Sequence, residues 1–435
     1  MKLRPFELAL VVIFILLIAA SLVFLKTYRA DKNDGVPVVG VVTIWGTLPQ
    51  GTFETILQDF SKANEEYNKV SYRYIEPTAV SNELVNALAD GVGPDMLLLS
   101  SEQLVEMRKK IKPVSFESFP KRDIASLYVD GAAIFALSDG LYAYPLALDP
   151  MVLYWNKDLL GTENLLEAPK TWESLVNQYT PVLTKRASDR TIERSAVALG
   201  EYSNVKNSFG IISSLLLQAG SYGVTNEKEG EYDIRLNESP NQGVEPLRVT
   251  ADFYTRFSRP DNTLYSWNRS FASDRDRFVS GDLALYFGYG SEGPQLEQLN
   301  PNLNFDIAEI PQGATATVRR TYAQFYGLAA LKTSDNLEGV SLVLKGLSQS
   351  AVIERFANDY GLVPALRGSV AAGSNNLYGR VTYKSASVAY GWLNPNRPGT
   401  DNAFQTMTRD ITENRSDVPG AISDALERLE LEYNK

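Results

Sequence analysis

Short apolar runs alternate with amphipathic segments along the chain between residues 41 and 99. The run VVTIWGT at 41–47 is rich in β-branched residues, and apolar side chains then recur at helical spacing over 53–67. The same order repeats up to the continuous apolar run at 96–99, and such runs are typical of parallel strands buried on both faces. The pattern predicts a doubly wound α/β unit, whose ligands bind beyond the carboxyl ends of its strands.

The most distinctive stretch, YPLALDPMVLYWNKD, covers residues 144–158. Its Val, Leu and aromatic content predicts a strand. Pro150 has no amide donor, so this strand should be an edge, a kink or a crossing between two bodies. The carboxylate of Asp149 lies inside an apolar run, and we expect it either to have a partner or to face a cavity. A buried strand with a solvated bend at Asp149 is the alternative.

A Tyr-Pro pair, a short apolar run and an aromatic-Asn-Lys-Asp-Leu ending, as found here, resemble the interdomain crossing of family 1 extracellular solute-binding proteins. These are the maltose-binding-protein-like receptors of ABC importers. Further motifs of that family occur in its order: GVGPD at 91–95, APKTWESL at 168–175, FVSGDLALYFG at 278–288 and YGLVPALRGS at 360–369. The resemblance spans roughly residues 38–435, and none of its motifs is specific to one ligand.

The resemblance implies a periplasmic-binding-protein-like α/β fold, in which two doubly wound lobes enclose a hinged cleft. It assigns residues 38–147 and 312–350 to the first lobe, and residues 148–311 and 351–435 to the second. A small solute, which the resemblance implies is a carbohydrate, would bridge the lobes and stabilise the closed form. Permease subunits of an ABC importer would recognise that closed form, and the receptor is expected to be a monomer.

The composition narrows the chemistry that the chain can perform. Its 435 residues suffice for two lobes with separate cores, and its formal net charge of −10 disfavours nucleic-acid binding. The chain has no Cys and no His, which excludes disulfides, thiolate metal sites and Ser-His-Asp catalysis. These absences favour a binding protein over an enzyme, and we expect neither a cofactor nor a metal.

An apolar run of 18 residues near the start of the chain, at 8–25, contains Ser21 as its only polar side chain. This length is close to the minimum for a membrane-spanning helix. Because no Ala-x-Ala cleavage site follows the run, an uncleaved anchor at 1–26 is favoured over a cleaved signal peptide. Residues 27–37 are then a tether. The resemblance implies a single-pass protein of the cell membrane with its large domain on the extracytoplasmic side.

Candidate ligand residues come from strand ends, from the crossing and from loops that line the cleft in the resembling family. Aromatic rings can pack against the C–H faces of a sugar, and carboxylates or amides can accept hydrogen bonds from its hydroxyls. The predicted set is Trp45, Ser101, Glu102, Asp149, Asn204, Tyr289 and Trp392. Asp149 is the strongest candidate, because it lies in the crossing strand where the resembling family has a carboxylate.

Two other functions stay open at this point. A surface sensor or adhesion domain would use the same fold without transport, and no sequence motif marks a permease-facing surface. A carboxylate-based glycosidase needs no His, but it requires two carboxylates that face each other across the cleft. Glu102 and Asp149 are the available pair, and nothing in the sequence brings them together.

Overall fold

The computed structural model describes residues 39–189 and 191–434. The predicted membrane anchor at 1–26 and the tether at 27–37 therefore lie outside the described residues. Among the helices that the structure does describe, none has both the length and the apolar character needed to cross a membrane.

The strands form an 11-stranded sheet and a separate two-stranded hairpin. They are β1 (Val42–Gly46), β2 (Val70–Tyr74), β3 (Met96–Ser100), β4 (Tyr144–Asn156), β5 (Lys185–Arg186), β6 (Ile192–Val197), β7 (Gly223–Lys228), β8 (Glu231–Arg235), β9 (Leu283–Tyr289), β10 (Phe305–Glu309), β11 (Thr321–Ala330), β12 (Val363–Pro364) and β13 (Ala389–Tyr390). The main order in the large sheet is β2-β1-β3-β11-β4-β9-β6-β5. β10 and β12 also pair with β4, β13 pairs with β11, and β7 and β8 form the hairpin.

Helices cover the strands and complete the α/β architecture that the apolar pattern predicts. The α-helices are Gln50–Ala63, Val80–Ala89, Leu104–Met107, Lys121–Leu127, Lys157–Thr162, Trp172–Ser174, Thr180–Leu183, Ser208–Gln218, Pro246–Thr255, Asp274–Val279, Gly293–Leu299, Leu337–Leu347, Ser350–Asp359, Arg367–Ala372, Gly379–Ala386, Arg397–Thr412 and Val418–Tyr433. Short 3-10 turns occur at Glu65–Tyr67, Ser101–Gln103, Asp130–Phe135, Arg256–Ser258 and Gly290–Glu292, and a π-helical turn at Leu175–Tyr179.

The first part of the sheet has parallel strands followed by one inserted antiparallel strand. β1 runs parallel to both β2 and β3, and all five residues of β3 are buried, as its continuous apolar run predicts. β11, which comes more than two hundred residues later in the chain, lies antiparallel between β3 and β4. In this register Tyr326 pairs with Ser100 on one side and with Ala147 on the other. The carboxyl end of β3 and the middle of β4 are thereby at the same level.

The 13-residue strand β4 changes its neighbours halfway along its length. Residues 144–150 pair with β11, whereas residues 151–155 pair with β9 and residues 152–156 with β10. Pro150 is the last residue of the first pairing, at the changeover where a residue without an amide donor is best tolerated. The strand predicted from the sequence is thus present, and it runs from one half of the sheet into the other.

The buried apolar side chains fall into two clusters. The smaller cluster packs Phe53 and Tyr72 against the first part of the sheet, with ring centroids 4.7 Å apart. Phe356, from the helix Ser350–Asp359, joins the same cluster and contacts Phe53 edge-to-face. The helix Ser350–Asp359 therefore packs with the first part of the sheet, although the resemblance assigns residues 351–435 to the second lobe. The division of the chain into two lobes stays a prediction.

Replacing Leu153 by alanine is expected to lower the free energy of unfolding by about 2–5 kcal/mol, because it leaves a cavity beside the strand that joins the two halves of the sheet. Leu153 is 0% exposed, whereas Leu166 is 85% exposed. Leu166→Ala is the matched control and should change the free energy by less than about 0.5 kcal/mol. Urea unfolding measures both, and equal losses would contradict the central role of β4.

Candidate functional site

Polar side chains converge where β3 ends, where β4 changes its neighbours and where β11 begins. We call Glu102, Asp149, Tyr289, Tyr322 and Arg397 the polar cluster. Burial is the main cause that holds the pKa of Tyr289 well above its ordinary value, and the charges of Glu102, Arg397 and Asp149 also act on it. Strand pairing shows the same arrangement, because Tyr289 pairs with Met151, two residues after Asp149. Ser101, next to Glu102, binds the N–H of Phe325, whose neighbour Gln324 pairs with Asp149. The fold therefore brings three of the predicted ligand residues, Glu102, Asp149 and Tyr289, to one part of the sheet.

Glu102 lies in the 3-10 turn Ser101–Gln103, directly after β3, and only 6% of it is exposed. Its Oε1 accepts a hydrogen bond from the hydroxyl of Tyr322 at 2.7 Å, and its Oε2 pairs with Nη1 of Arg397 at 2.8 Å. A capping box of Ser100 and Gln103 fixes the turn. The carboxylate is thus held in one orientation by a phenol and a guanidinium.

Arg397 is the first residue of the helix Arg397–Thr412, and the sequence analysis did not select it. Its Nε donates to Oδ1 of Asp401 at 2.8 Å, and its guanidinium lies 4.2 Å from the centre of the Phe209 ring. Burial acts to lower the pKa of Arg397, but the charges of Glu102 and Asp401 outweigh it and hold this pKa well above its ordinary value. The side chain is therefore a fixed cation between two carboxylates.

Asp149 fastens the crossing strand to the turn Gly290–Glu292. Its Oδ1 accepts from the backbone N–H of Ser291 at 3.1 Å, and its Oδ2 accepts from the Ser291 hydroxyl at 2.5 Å. Burial raises the pKa of Asp149 to about 7, although the hydrogen bonds from Ser291 act in the opposite direction. The carboxyl group is buried and partnered, which is one of the two outcomes that its place in an apolar run predicts.

A third buried carboxylate, Glu292, orients the backbone of Tyr289. Its Oε1 accepts from the Tyr289 N–H at 2.9 Å, and its Oε2 accepts from the Tyr286 hydroxyl at 2.6 Å. Lys206 completes the charge balance with an ion pair of 2.9 Å to Oε2. The hydroxyl of Tyr154 donates to the Tyr289 carbonyl at 2.8 Å. The turn after β9 is therefore fixed from both sides of its backbone.

Two further predicted residues lie on β1 and on the turn after β3. Trp45, on β1, is 4% exposed, and the guanidinium of Arg73 lies 4.6 Å from its ring centre. Ser101 is buried, and its hydroxyl accepts a hydrogen bond from the Phe325 N–H at 3.1 Å. The Ser101 hydroxyl thus joins the turn after β3 to β11.

Asn204 lies in a different hydrogen-bonding environment. Its Oδ1 accepts from the indole N–H of Trp267 at 3.0 Å, and its Nδ2 donates to the carbonyls of Asn268 and Phe271. Both ends of the amide are therefore bonded inside the protein. These contacts tie the loop at residue 204 to the segment around residues 267–271.

Trp392 is buried in an aromatic group, with its indole N–H donating to the Ser213 hydroxyl at 2.9 Å. Its ring packs against Phe209, the same ring that Arg397 covers. Of the seven predicted residues, Trp392 alone lines the cavity of 810 Å³ that lies between residues 130–137, 217–226 and 315–320. That cavity is separate from the side chains of the polar cluster.

The sequence signals for the missed members of the cluster are weak. Arg397 follows Asn-Pro-Asn at 394–396, and the Asn396 side chain caps the helix by accepting from the Gly399 N–H. Tyr322 is one of 23 tyrosines, and only its hydrogen bond to Glu102 in the folded chain identifies it. Across residues 39–189 and 191–434, no group of three or more Asp or Glu side chains is arranged to hold a metal ion.

Comparison with known proteins gives matches over most of the chain. A family model described as bacterial extracellular solute-binding protein matches residues 55–377. The maltodextrin-binding protein MdxE of Bacillus subtilis (strain 168) is 24% identical over 329 residues, which cover 72% of this chain and 71% of MdxE.

Solved structures give the same picture of the fold. A cyclo/maltodextrin-binding protein complexed with maltotetraose is similar with a TM-score of 0.72 and 16% identity, over 92% of this chain and 98% of that one. The sugar-binding protein MalE of Xanthomonas citri is similar with a TM-score of 0.69 and 18% identity, over 91% and 97%. A solute-binding protein of an ABC transporter from Thermotoga lettingae, bound with α-D-tagatose, has a TM-score of 0.66 and 17% identity, over 90% and 99%. The periplasmic-binding-protein-like α/β fold is thereby confirmed.

The stability of the protein is expected to fall as the pH rises from about 4 to about 7. Burial raises the pKa of both Asp149 and Asp274 to about 7, so the folded state keeps protons that the unfolded state has already released above about pH 4. Each group then removes on the order of 1 kcal/mol per pH unit until the pH passes its folded-state pKa. Urea unfolding across this range measures the slope.

Asp149→Asn should make this slope shallower, because the amide does not titrate. Carboxyl groups with a lowered pKa, such as Asp130 beside Arg367, reduce the stability of the protein only as the pH falls toward that pKa. Their titration therefore does not obscure the pH range in which Asp149 titrates. An Asp149→Asn variant with the same slope as the parent protein would show that Asp149 does not hold a raised pKa in the folded state.

Proposed function

This chain belongs to the family of bacterial extracellular solute-binding proteins, and we propose that it captures a carbohydrate and delivers it to an ABC importer. The observation that carries the proposal is the convergence of Glu102, Asp149 and Tyr289 from three different elements. Two carboxylates beside an aromatic ring provide acceptors for hydroxyl groups and a surface for the C–H face of a sugar. The maltodextrin- and sugar-binding relatives support this ligand class.

We place the ligand in a hinged cleft between the two predicted lobes, residues 38–147 with 312–350 and residues 148–311 with 351–435. In this division Glu102 belongs to the first lobe and Arg397 to the second, so that their ion pair of 2.8 Å joins the lobes. A ligand that contacts both lobes stabilises the closed form by its preference for that form. The closed form is then the state that the permease subunits recognise.

The seven predicted residues take different parts in this proposal. Glu102, Asp149 and Tyr289 would contact the ligand, with Trp45 beside them at the end of β1. Glu102 and Asp149 also have internal partners, but each of their carboxylate oxygens keeps a lone pair for a ligand hydroxyl. The Ser101 oxygen, the Asn204 amide and the Trp392 indole N–H are engaged inside the protein. These three residues would therefore position the walls of the cleft instead of contacting the sugar.

The site of action follows from the N-terminal segment of the sequence. We propose that residues 1–26 anchor the protein in the cell membrane as a single-pass segment, with the large domain outside and residues 27–37 as the tether. The apolar run at 8–25, in which Ser21 is the only polar side chain, supports this topology. A receptor held in this way stays close to its permease without diffusing away from the cell.

A carbohydrate ligand should raise the melting temperature of the chain from residue 35 onward. A ligand at roughly one hundred times its Kd adds about 2.7 kcal/mol of stability, which is enough for a shift of a few degrees. Maltotetraose and α-D-tagatose are the first carbohydrates to test, and glycine and inorganic phosphate at equal concentration are the controls. The proposed ligand class would be contradicted if a control solute raised the melting temperature and no mono- or oligosaccharide did so.

Asp149→Ala is expected to weaken carbohydrate binding by about 1.5–3 kcal/mol if its carboxylate accepts hydrogen bonds from the ligand. Ser291→Ala is the matched control, because it removes the hydroxyl that Asp149 binds but keeps the carboxylate. Titration calorimetry should show a clearly larger loss of affinity for Asp149→Ala than for Ser291→Ala. Equal losses would mean that Asp149 acts only by holding the turn Gly290–Glu292.

A further inference from the structure

The 810 Å³ cavity has a size typical of small-molecule sites and contains none of the side chains of the polar cluster. One wall is the 3-10 turn Asp130–Phe135, and another is the end of the helix Ser208–Gln218 with the start of β7. Residues 240–241, residues 315–318, Arg320 and residues 390–393 complete the lining. The cavity therefore lies between segments from distant parts of the sequence.

The two charged residues that line this cavity differ in the partners they have. Asp130 and Arg320 are the charged residues of its lining. Asp130 pairs with Arg367 and also accepts a hydrogen bond from the Tyr390 hydroxyl at 3.2 Å. Within the described part of the chain, no carboxylate lies within ion-pair distance of the Arg320 guanidinium. Asp130 is thus paired with Arg367, and the charge of Arg320 also acts to lower the pKa of Asp130, but among the described residues no carboxylate forms a direct ion pair with Arg320.

The position of Arg320 leaves much of its hydrogen-bonding capacity free. Its guanidinium lies 4.1 Å from the centre of the Tyr390 ring, and this cation–π contact uses the face of the group. Its Nη1 donates to the Arg319 carbonyl at 3.1 Å. The other in-plane N–H groups have no acceptor among the residues that the structure describes. A planar guanidinium with free N–H groups matches a carboxylate better than any neutral group.

The remaining lining suits an apolar or aromatic body attached to that carboxylate. Ile134, Leu217, Val224 and Leu393 supply aliphatic surface, and Tyr222 supplies an aromatic ring. We propose that this cavity is a second ligand site, separate from the polar cluster, which binds a small organic carboxylate through Arg320. The inference does not depend on the proposed carbohydrate function, because the two sites share no charged residue.

The test uses fluorine NMR with 4-fluorobenzoate as the probe and 4-fluorobenzamide as its neutral counterpart. The parent protein should bind the benzoate at least tenfold more tightly than the benzamide. Arg320→Gln should lose at least tenfold in affinity for the benzoate. Arg319→Gln removes the same charge from the adjacent residue, which pairs with Glu309 and does not line the cavity. This control should bind the benzoate as the parent does.

A second variant tests the volume of the cavity instead of the charge of Arg320. Thr317→Trp, at an exposed position of the lining, fills part of the cavity while Arg320 stays in place, and it should also weaken benzoate binding. Each of three results would overturn the proposal. These are equal losses of affinity for Arg320→Gln and Arg319→Gln, equal affinities for benzoate and benzamide, and no benzoate binding up to about 10 mM. Glu102→Gln should leave benzoate binding unchanged, which separates this site from the proposed carbohydrate site.

Discussion

The backbone hydrogen bonds of β4 hold the two halves of the sheet together. Its residues 144–150 pair with β11, and its residues 151–155 pair with β9. Asp149 and Pro150 lie at the changeover, and the bonds from Asp149 to Ser291 attach this point to the turn after β9. The candidate site exists because one strand serves two parts of the sheet and carries a carboxylate where it passes between them.

The polar cluster is built largely from groups that satisfy one another. Glu102 has Tyr322 and Arg397 as partners, and Asp149 has Ser291. Buried carboxylates are stable only with such partners, since an unpaired buried charge costs several kcal/mol. Their oxygens are consequently fixed in direction before any ligand arrives. A ligand then loses less free energy in ordering the site, which is the general advantage of preorganisation.

Local pattern was enough to predict the strands and helices between residues 41 and 100 and the crossing strand. The buried run of β3 and the helix Gln50–Ala63 follow from apolar periodicity, which is a property of neighbouring residues. The family resemblance extended this to the overall fold. Glu102 and Asp149 could be selected because both stand next to a recognisable strand signal.

Other parts of the site depend on contacts between residues far apart in the sequence. Nothing near Tyr322 or Arg397 indicates that both meet Glu102, which is 220 and 295 positions away, respectively. Asn204 was predicted as a ligand residue, but the sequence could not show that Trp267 and two carbonyls bind its amide. The cavity beside Arg320 was also beyond local pattern, because its walls come from segments that only the fold brings together.

The insertion of β11 between β3 and β4 also has a consequence for how the chain acquires its structure. Until β11 has been synthesised, β3 and β4 each present an unpaired edge, and such edges readily pair with other chains. A sheet whose central pairings join distant residues is expected to fold slowly, because long loops must close before the pairings form. We expect the chain to be most prone to aggregation in the interval before β11 has paired with both strands.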